Sequence, residues 1–202
     1  MPGEAMHQKG ADGARRAKRY LDATTRVRSS WTNEDAVAAG RLEFNWPHGE
    51  QQPYSYDLGG ILSGDEFEGR FFLSECKNYA AAADQGYHFD DFLAKCYLTR
   101  RDHHRLADDF MWITWHPFRV TTWSSLYSPE KIAESLLLER NLERVFGTAD
   151  NAEAEALIDG DLAKDVSDRI WVIVLSEKQE KLVITPKNRG LIIANQVERG
   201  EG

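Results

Sequence analysis

Tyr56-Asp57-Leu58-Gly59-Gly60 and Ser74-Glu75-Cys76-Lys77-Asn78-Tyr79 set two carboxylates and an amine inside two runs of strand-forming residues. Side chains alternate between the faces of a strand, so Glu75 and Lys77 share one face and Cys76 takes the other. Tyr54, Tyr56, Leu58, Ile61 and Leu62 make up the first run, and Phe71, Phe72 and Leu73 lead into the second. Between them Ser63-Gly64-Asp65-Glu66-Phe67-Glu68-Gly69 is polar, carries two glycines and reads as the turn of an antiparallel hairpin. Folding back there brings Asp57 opposite the stretch around Glu75.

Outward from this hairpin, the pattern alternates helices with strands. Ala14, Ala17, Tyr20, Leu21 and Thr24 at helical spacing predict a helix over Asp12 to Arg28, with Asp12 as N-cap. Thr32-Asn33-Glu34-Asp35 opens a short helix through Ala39, and Leu42, Phe44 and Trp46 alternate as a half-buried strand. After the motif, Phe89, Phe92, Leu93, Cys96 and Tyr97 form one stripe of a long helix whose apolar face should lie on the sheet. Phe110 to Trp115 reads as a strand buried on both faces and reached by a crossover. Beyond it, Ser128-Pro129-Glu130 is a helix start, with Ile132, Leu136, Leu142, Val145 and Phe146 as the buried side up to Gly147. A helix over roughly 152 to 167, a strand from Ile170 to Leu175 and another from Leu182 to Thr185 complete the reading. Residues 10–118 are thus expected as a core, and 119–202 as an acidic helical and β extension packed on it or extending the same domain.

Hard oxygen ligands on adjacent strands suit Mg²⁺, which takes one or two carboxylates and keeps several waters. The ordinary alternative is an ion pair, since a Glu-x-Lys on a strand contributes roughly 0.2–1 kcal/mol as a cross-strand contact. Three features favour chemistry: Asp57 is a poor strand former inside an apolar run, Gly59-Gly60 marks a bulge or close approach, and the helical segment after the motif is strongly amphipathic.

The order helix, strand, strand with Asp57, strand with Glu75-Cys76-Lys77, helix, strand resembles the PD-(D/E)XK nuclease superfamily, over residues 10–118. The motif is short and degenerate, so the likeness is to a superfamily and not to one enzyme. Two departures are visible. Tyr56 stands where the namesake motif has proline, and Asp12 and Asp22 are the only candidates for the extra carboxylate many members carry on the first helix. The resemblance implies a restriction-endonuclease-like α/β fold, a mixed β-sheet flanked by helices. It also implies a metal-dependent endonuclease, with Asp57, Glu75 and Lys77 as catalytic residues. Asp57, Glu75 and the Cys76 carbonyl would hold Mg²⁺, with Mn²⁺ as a substitute. DNA is the expected substrate, with RNA left open, in a setting such as a restriction or defence complex.

Charge qualifies that expectation. The 202 residues carry a net charge of −8, whereas phosphate binding calls for clustered Lys and Arg. Residues 1–30 nevertheless balance at +4, which puts −12 on the rest. Arg15, Arg16 and Arg19 on the first helix, and Lys95, Arg100, Arg101 and Arg105 on the helix after the motif, are either solvated faces or phosphate contacts. Asn78, Tyr79, Gln85 and Tyr87 lie near the motif and could touch nucleic acid, packing or capping being their ordinary roles. Residues 129–180 balance at −7, which suits a partner subunit or a homodimer better than phosphate. A catalytically silent nuclease-fold subunit, acting as a protein-interaction module, is the rival reading; an unrelated α/β binding domain is the second.

Cys76 and Cys96 read as core residues, and no zinc-ligand spacing appears among the six histidines. No apolar run reaches the 18 or so residues of a membrane helix. The first ten residues are polar, so the cytoplasm is the expected compartment.

Overall fold

The computed structural model describes residues 2–24, 26–49, 53–78 and 84–200. Helix α1 (Pro2–Asp22) comes first, followed by strand β1 (Val27–Thr32). The helix therefore begins earlier and ends sooner than its apolar spacing predicts, and Asp12 lies inside it. Its last turn supplies the reason: Lys18 donates to the Ser30 carbonyl at 2.6 Å, and the Ser30 hydroxyl donates to Asp22 at 2.6 Å. Those bonds draw residues 27–32 back alongside the helix as a strand. No helix opens at Thr32; turns lead instead to a 3₁₀ turn at Ala39–Arg41.

The Leu42–Trp46 strand shrinks to β2 (Glu43–Phe44), which pairs only with β3 (Tyr54–Ser55) in a separate two-stranded ribbon. Phe44 stacks on Tyr54, whose hydroxyl, like that of Tyr56, meets Thr99. This aromatic packing holds the ribbon against the long helix, outside the main sheet. At Tyr56 and Asp57 the chain leaves the ribbon and enters β4 (Leu58–Leu62), which runs antiparallel to β5 (Phe71–Lys77) through the expected turn. Gly64 and Gly69, at φ of 85° and 76°, supply the left-handed positions of that turn.

Helix α2 (Gln85–Asp102) then crosses to β6 (Asp109–Thr114), parallel to β5 and buried at all six residues. The predicted 128–147 helix is broken into α3 (Pro129–Leu136) and α4 (Glu139–Phe146), and Ser128 caps the first as expected. The next helix is also split, into α5 (Asn151–Ala156) and α6 (Gly160–Ser167). Asp159 N-caps α6, and its own N–H is met by the Tyr97 hydroxyl at 2.9 Å. Strand β7 (Ile170–Val174) pairs in parallel with β6. No strand forms at 182–185; Thr185 instead caps α7 (Pro186–Glu198). Among the described residues no helix is long and apolar enough to cross a membrane.

The main sheet is therefore mixed, in the order β1-β4-β5-β6-β7, with helices on both faces. Phe89, Phe92, Leu93, Tyr97, Trp112 and Phe110 lead the larger core on the α2 side, where α3 and α6 also contribute. On the α1 side Ala17, Leu21, Leu58, Phe72, Cys76 and Ile113 form the smaller one. Residues 119–202 contribute to both cores and to the sheet itself, through β7 and Leu175.

The glycine pair in β4 is a packing requirement. A Cβ on Gly59 would lie 2.7 Å from a Leu42 methyl, and one on Gly60 would lie 2.4 Å from the Phe72 ring and 2.6 Å from the Ser29 carbonyl. The carbonyl belongs to the neighbouring strand and cannot swing away. Gly60→Ala should therefore destabilise the protein by roughly 1–3 kcal/mol, the usual cost of overpacking. Gly40→Ala, where a Cβ meets nothing within 4 Å, should change urea denaturation little. Equal midpoints for the two variants would contradict this packing.

Candidate active site

Asp57, Glu75 and Lys77 meet at the end of the sheet where β4 begins and β5 finishes. Asp57 sits in the step between β3 and β4, so strand alternation does not govern its side chain. Its backbone N–H donates to the Ser74 carbonyl at 2.9 Å and its carbonyl accepts from Asn33 at 3.2 Å. With the backbone pinned on both sides, the carboxylate turns across to β5 and accepts the Cys76 N–H at 2.8 Å. That bond satisfies a backbone donor left beyond the start of β4.

Glu75 and Lys77 project together on the α2 side, as their spacing predicts. Lys77 Nζ lies 2.7 Å from one Glu75 oxygen and 3.9 Å from Asp57 Oδ2, so one ammonium spans both carboxylates. The other Glu75 oxygen is met at 2.5 Å by Lys95, which reaches down from α2. Glu75 is only 4% exposed. Burial alone pushes its carboxyl up, but the charges and hydrogen bonds of Lys77 and Lys95 outweigh it and hold the group at about 2. Asp57 goes the other way. Burial, then the charge of Glu75, push it up to about 6, against the pull of Lys77 and the Cys76 N–H.

Lys95 is the residue that sequence reasoning grouped wrongly, with Arg100, Arg101 and Arg105. Arg100 pairs with Asp165 and Arg101 with the adjacent Asp102, whereas Lys95 alone turns to the sheet. The legible signal is its position, three residues after Phe92 and so beside the stripe that packs on the strands. His88 lies two turns before it on the same side of α2; burial first, then the Lys77 charge, hold its imidazole below the usual range.

Cys76 can contribute its carbonyl but not a thiolate, since burial pushes the thiol well above its ordinary value. That carbonyl faces α1: a Cβ on Gly13 would lie 3.4 Å from it. The first-helix carboxylates do not join the site. Asp12 pairs with Arg15, while Asp22 accepts from Lys18 and Ser30.

The residues expected at nucleic acid are variously placed. Arg15 is ion-paired with Asp12 and Glu34. Arg16 donates to Glu180 at 2.6 Å and to Asn78 at 2.9 Å, and stacks 4.4 Å over Trp115. Burial pushes the Glu180 carboxyl up, but Arg16, the Trp115 indole and Arg19 outweigh it and hold it below the usual range. Gln85 is fully buried; it accepts from the Thr114 hydroxyl at 2.8 Å and donates to the His116 carbonyl at 3.3 Å. It ties the start of α2 to the end of β6, with no surface to offer a ligand. Tyr79 lies outside the described residues.

Comparison with protein-family models, with curated proteins and with solved structures finds no match. Among the described residues no group of three or more His, Cys, Asp or Glu side chains could hold a metal, which excludes from them a closed zinc-type cage. Two carboxylates on adjoining segments are a donor set compatible with Mg²⁺, which keeps several of its waters. A carboxylate has about four lone-pair sites, so Glu75 can keep its lysines and still accept a further partner.

The raised Asp57 fixes the sign of one pH effect. The folded protein binds this proton more tightly than the unfolded chain does. The stability it contributes is present at acid pH and is lost as pH rises through about 6. Glu75 behaves oppositely, its contribution being lost only as pH falls toward about 2. Asp57→Asn keeps an oxygen for the Cys76 N–H and removes the buried charge. In metal-free buffer at pH 7.5 the variant should be more stable than wild type by on the order of 2 kcal/mol, converging near pH 4. Urea denaturation across that range checks it, and a less stable variant at pH 7.5 refutes it.

Proposed function

We propose that the protein is a metal-dependent nuclease of the PD-(D/E)XK kind, cutting phosphodiester bonds of nucleic acid, with DNA the favoured substrate. The observation that carries this reading is Lys77 Nζ set between Glu75, at 2.7 Å, and Asp57, at 3.9 Å, at the end of the sheet where β4 begins. The order α1, β1, β4, β5, α2, β6 supports it as well, with an antiparallel start and a parallel finish, in keeping with a restriction-endonuclease-like core.

In this reading Asp57 and Glu75 hold Mg²⁺ together with the Cys76 carbonyl. The ion would supply charge neutralisation at the phosphate and a more acidic bound water. Lys77 donates a hydrogen bond and positive charge beside both carboxylates, where it can orient the attacking water and offset charge developing on the phosphate. The Cys76 N–H fixes the rotamer of Asp57, and burial of Glu75 keeps the pair in one geometry. Recognition of substrate needs a further surface or a partner subunit, because the arginines of α1 are largely engaged by acids of the same chain.

A second reading, a catalytically silent copy of the fold serving as a protein-interaction module, is favoured by one observation. Both Glu75 oxygens are met by ammonium groups, so the cluster is electrically satisfied as it stands.

Incubation with linear, supercoiled and single-stranded DNA and with RNA, in Mg²⁺, Mn²⁺ or EDTA, separates the two. The nuclease reading expects cleavage in either metal and none in EDTA. Asp57→Ala should lose metal affinity and cleavage together. Lys77→Ala should keep metal affinity and slow cleavage by about 10²-fold. Cutting that persists in both variants overturns the site, and absence of cutting under every condition, partner proteins included, supports the silent subunit.

A further inference from the structure

Lys95 is the one cation of α2 that enters the candidate site, and its ammonium touches both of the segments that carry a carboxylate. It donates to Glu75 Oε1 at 2.5 Å and to the Ser55 carbonyl at 3.2 Å. Ser55 ends β3, two residues before Asp57, and Glu75 belongs to β5. Lys77 also spans the two carboxylates, at 2.7 Å from Glu75 and 3.9 Å from Asp57, and Asp57 is tied to β5 through the Ser74 carbonyl and the Cys76 N–H. Of these the Lys77 contact reaches the Glu75 side chain, but it starts from the same strand, whereas Lys95 reaches it from α2.

Resting on the nuclease reading, we propose that Lys95 is a positioning residue for the metal site. From the rigid platform of α2 it holds the Glu75 carboxylate in one rotamer and sets its place relative to the Asp57 segment. The rest of α2 supports this. Phe92, Leu93 and Cys96 around Lys95 are fully buried against the sheet, so the lysine stem starts from a fixed point. Its side chain is 19% exposed, which shields the contact from competing water. Lys77 makes the opposite contact from Glu75's own strand, at Oε2. Lys95 thus fixes Oε1 from outside the strand, while Lys77 holds Oε2.

A group that orients a metal ligand shows itself in metal affinity and acts only through that ligand. Mn²⁺ binding to the full chain by isothermal titration is therefore the measurement, with wild type, Lys95→Met, Lys95→Arg, Glu75→Gln and the Lys95→Met/Glu75→Gln double variant. Lys95→Met retains the apolar stem and should weaken Mn²⁺ binding about 10- to 100-fold, as losses of outer-sphere partners do. Lys95→Arg should recover most of the affinity. In the Glu75→Gln background Lys95→Met should change affinity by less than about threefold, because the two act as one unit. Lys95→Gln replaces Lys95→Met if the latter does not fold.

Wild-type Mn²⁺ affinity in Lys95→Met, or independent losses in the double variant, overturns the role of Lys95 while leaving the metal site standing. A wild-type chain that binds no Mn²⁺ overturns the nuclease reading, and the positioning role with it.

Discussion

A carboxylate buried at the end of β5 must meet cations or give up its charge, and much of the molecule is arranged around that requirement. Glu75 is met from its own strand by Lys77 and from α2 by Lys95. Taking an ion from water costs several kcal/mol, which only close and well-directed partners offset. Lys95 can reach only if α2 lies firmly on the sheet. The aromatic layer of Phe89, Phe92 and Trp112 secures that, with ring centroids 5.1–5.7 Å apart. Core packing and the charge cluster are therefore one construction: the helix that buries the core also delivers the second ammonium. Asp57 is the group left in deficit, its proton affinity raised first by burial and then by the neighbour that the lysines stabilise.

How far the sequence foretold this depended on whether a signal was local. The 63–69 turn, the α2 stripe and the Ser128-Pro129 start were legible because each rests on a few adjacent residues: glycines with positive φ, a helical period, a hydroxyl cap. The pairing of Asp57 with the Glu75 strand followed from the hairpin. Strand β1 was not legible, since Val-Arg-Ser-Ser-Trp-Thr has no clean alternation and owes its form to β4 and to the Lys18–Asp22–Ser30 bonds. The Leu182-Val183-Ile184 run looks like a strand, yet Thr185-Pro186 opens a helix by the same device as Ser128-Pro129. In the site, Glu75 and Lys77 could be read from spacing. Lys95 could be placed beside the apolar stripe by its distance from Phe92, but its bond to the Glu75 carboxylate on the preceding strand could not be read.

The charge map also reads differently in three dimensions. The surplus of +4 in the first 30 residues is equally consistent with a solvated face and with a phosphate-facing helix. Arg15 is instead held by Asp12 and Glu34, Arg16 by Glu180, Arg26 by Asp65 and Arg28 by Glu68. Much of the basic surplus is thereby neutralised by acids from distant parts of the chain, and the −8 net charge is spread over a surface of paired groups. Such pairs add little stability when exposed, and they weaken further in salt. Their larger effect is on long-range attraction: a polyanion approaching α1 meets dipoles in place of bare cations.

The strand β7 carries a consequence for how the chain is made. It closes the sheet beside β6 but arrives more than fifty residues later, after four helices. A ribosome adding roughly 5–20 residues per second leaves the flank of β6 bare for several seconds. All six residues of β6 belong in the interior, and an unpaired apolar strand edge is a template for association with other chains. Parallel pairing over so long a separation is also slow to form. The nascent protein thus passes through an interval in which its most buried strand is its most adhesive, and synthesis rate and holding chaperones bear on its yield more than the stability of the finished fold does.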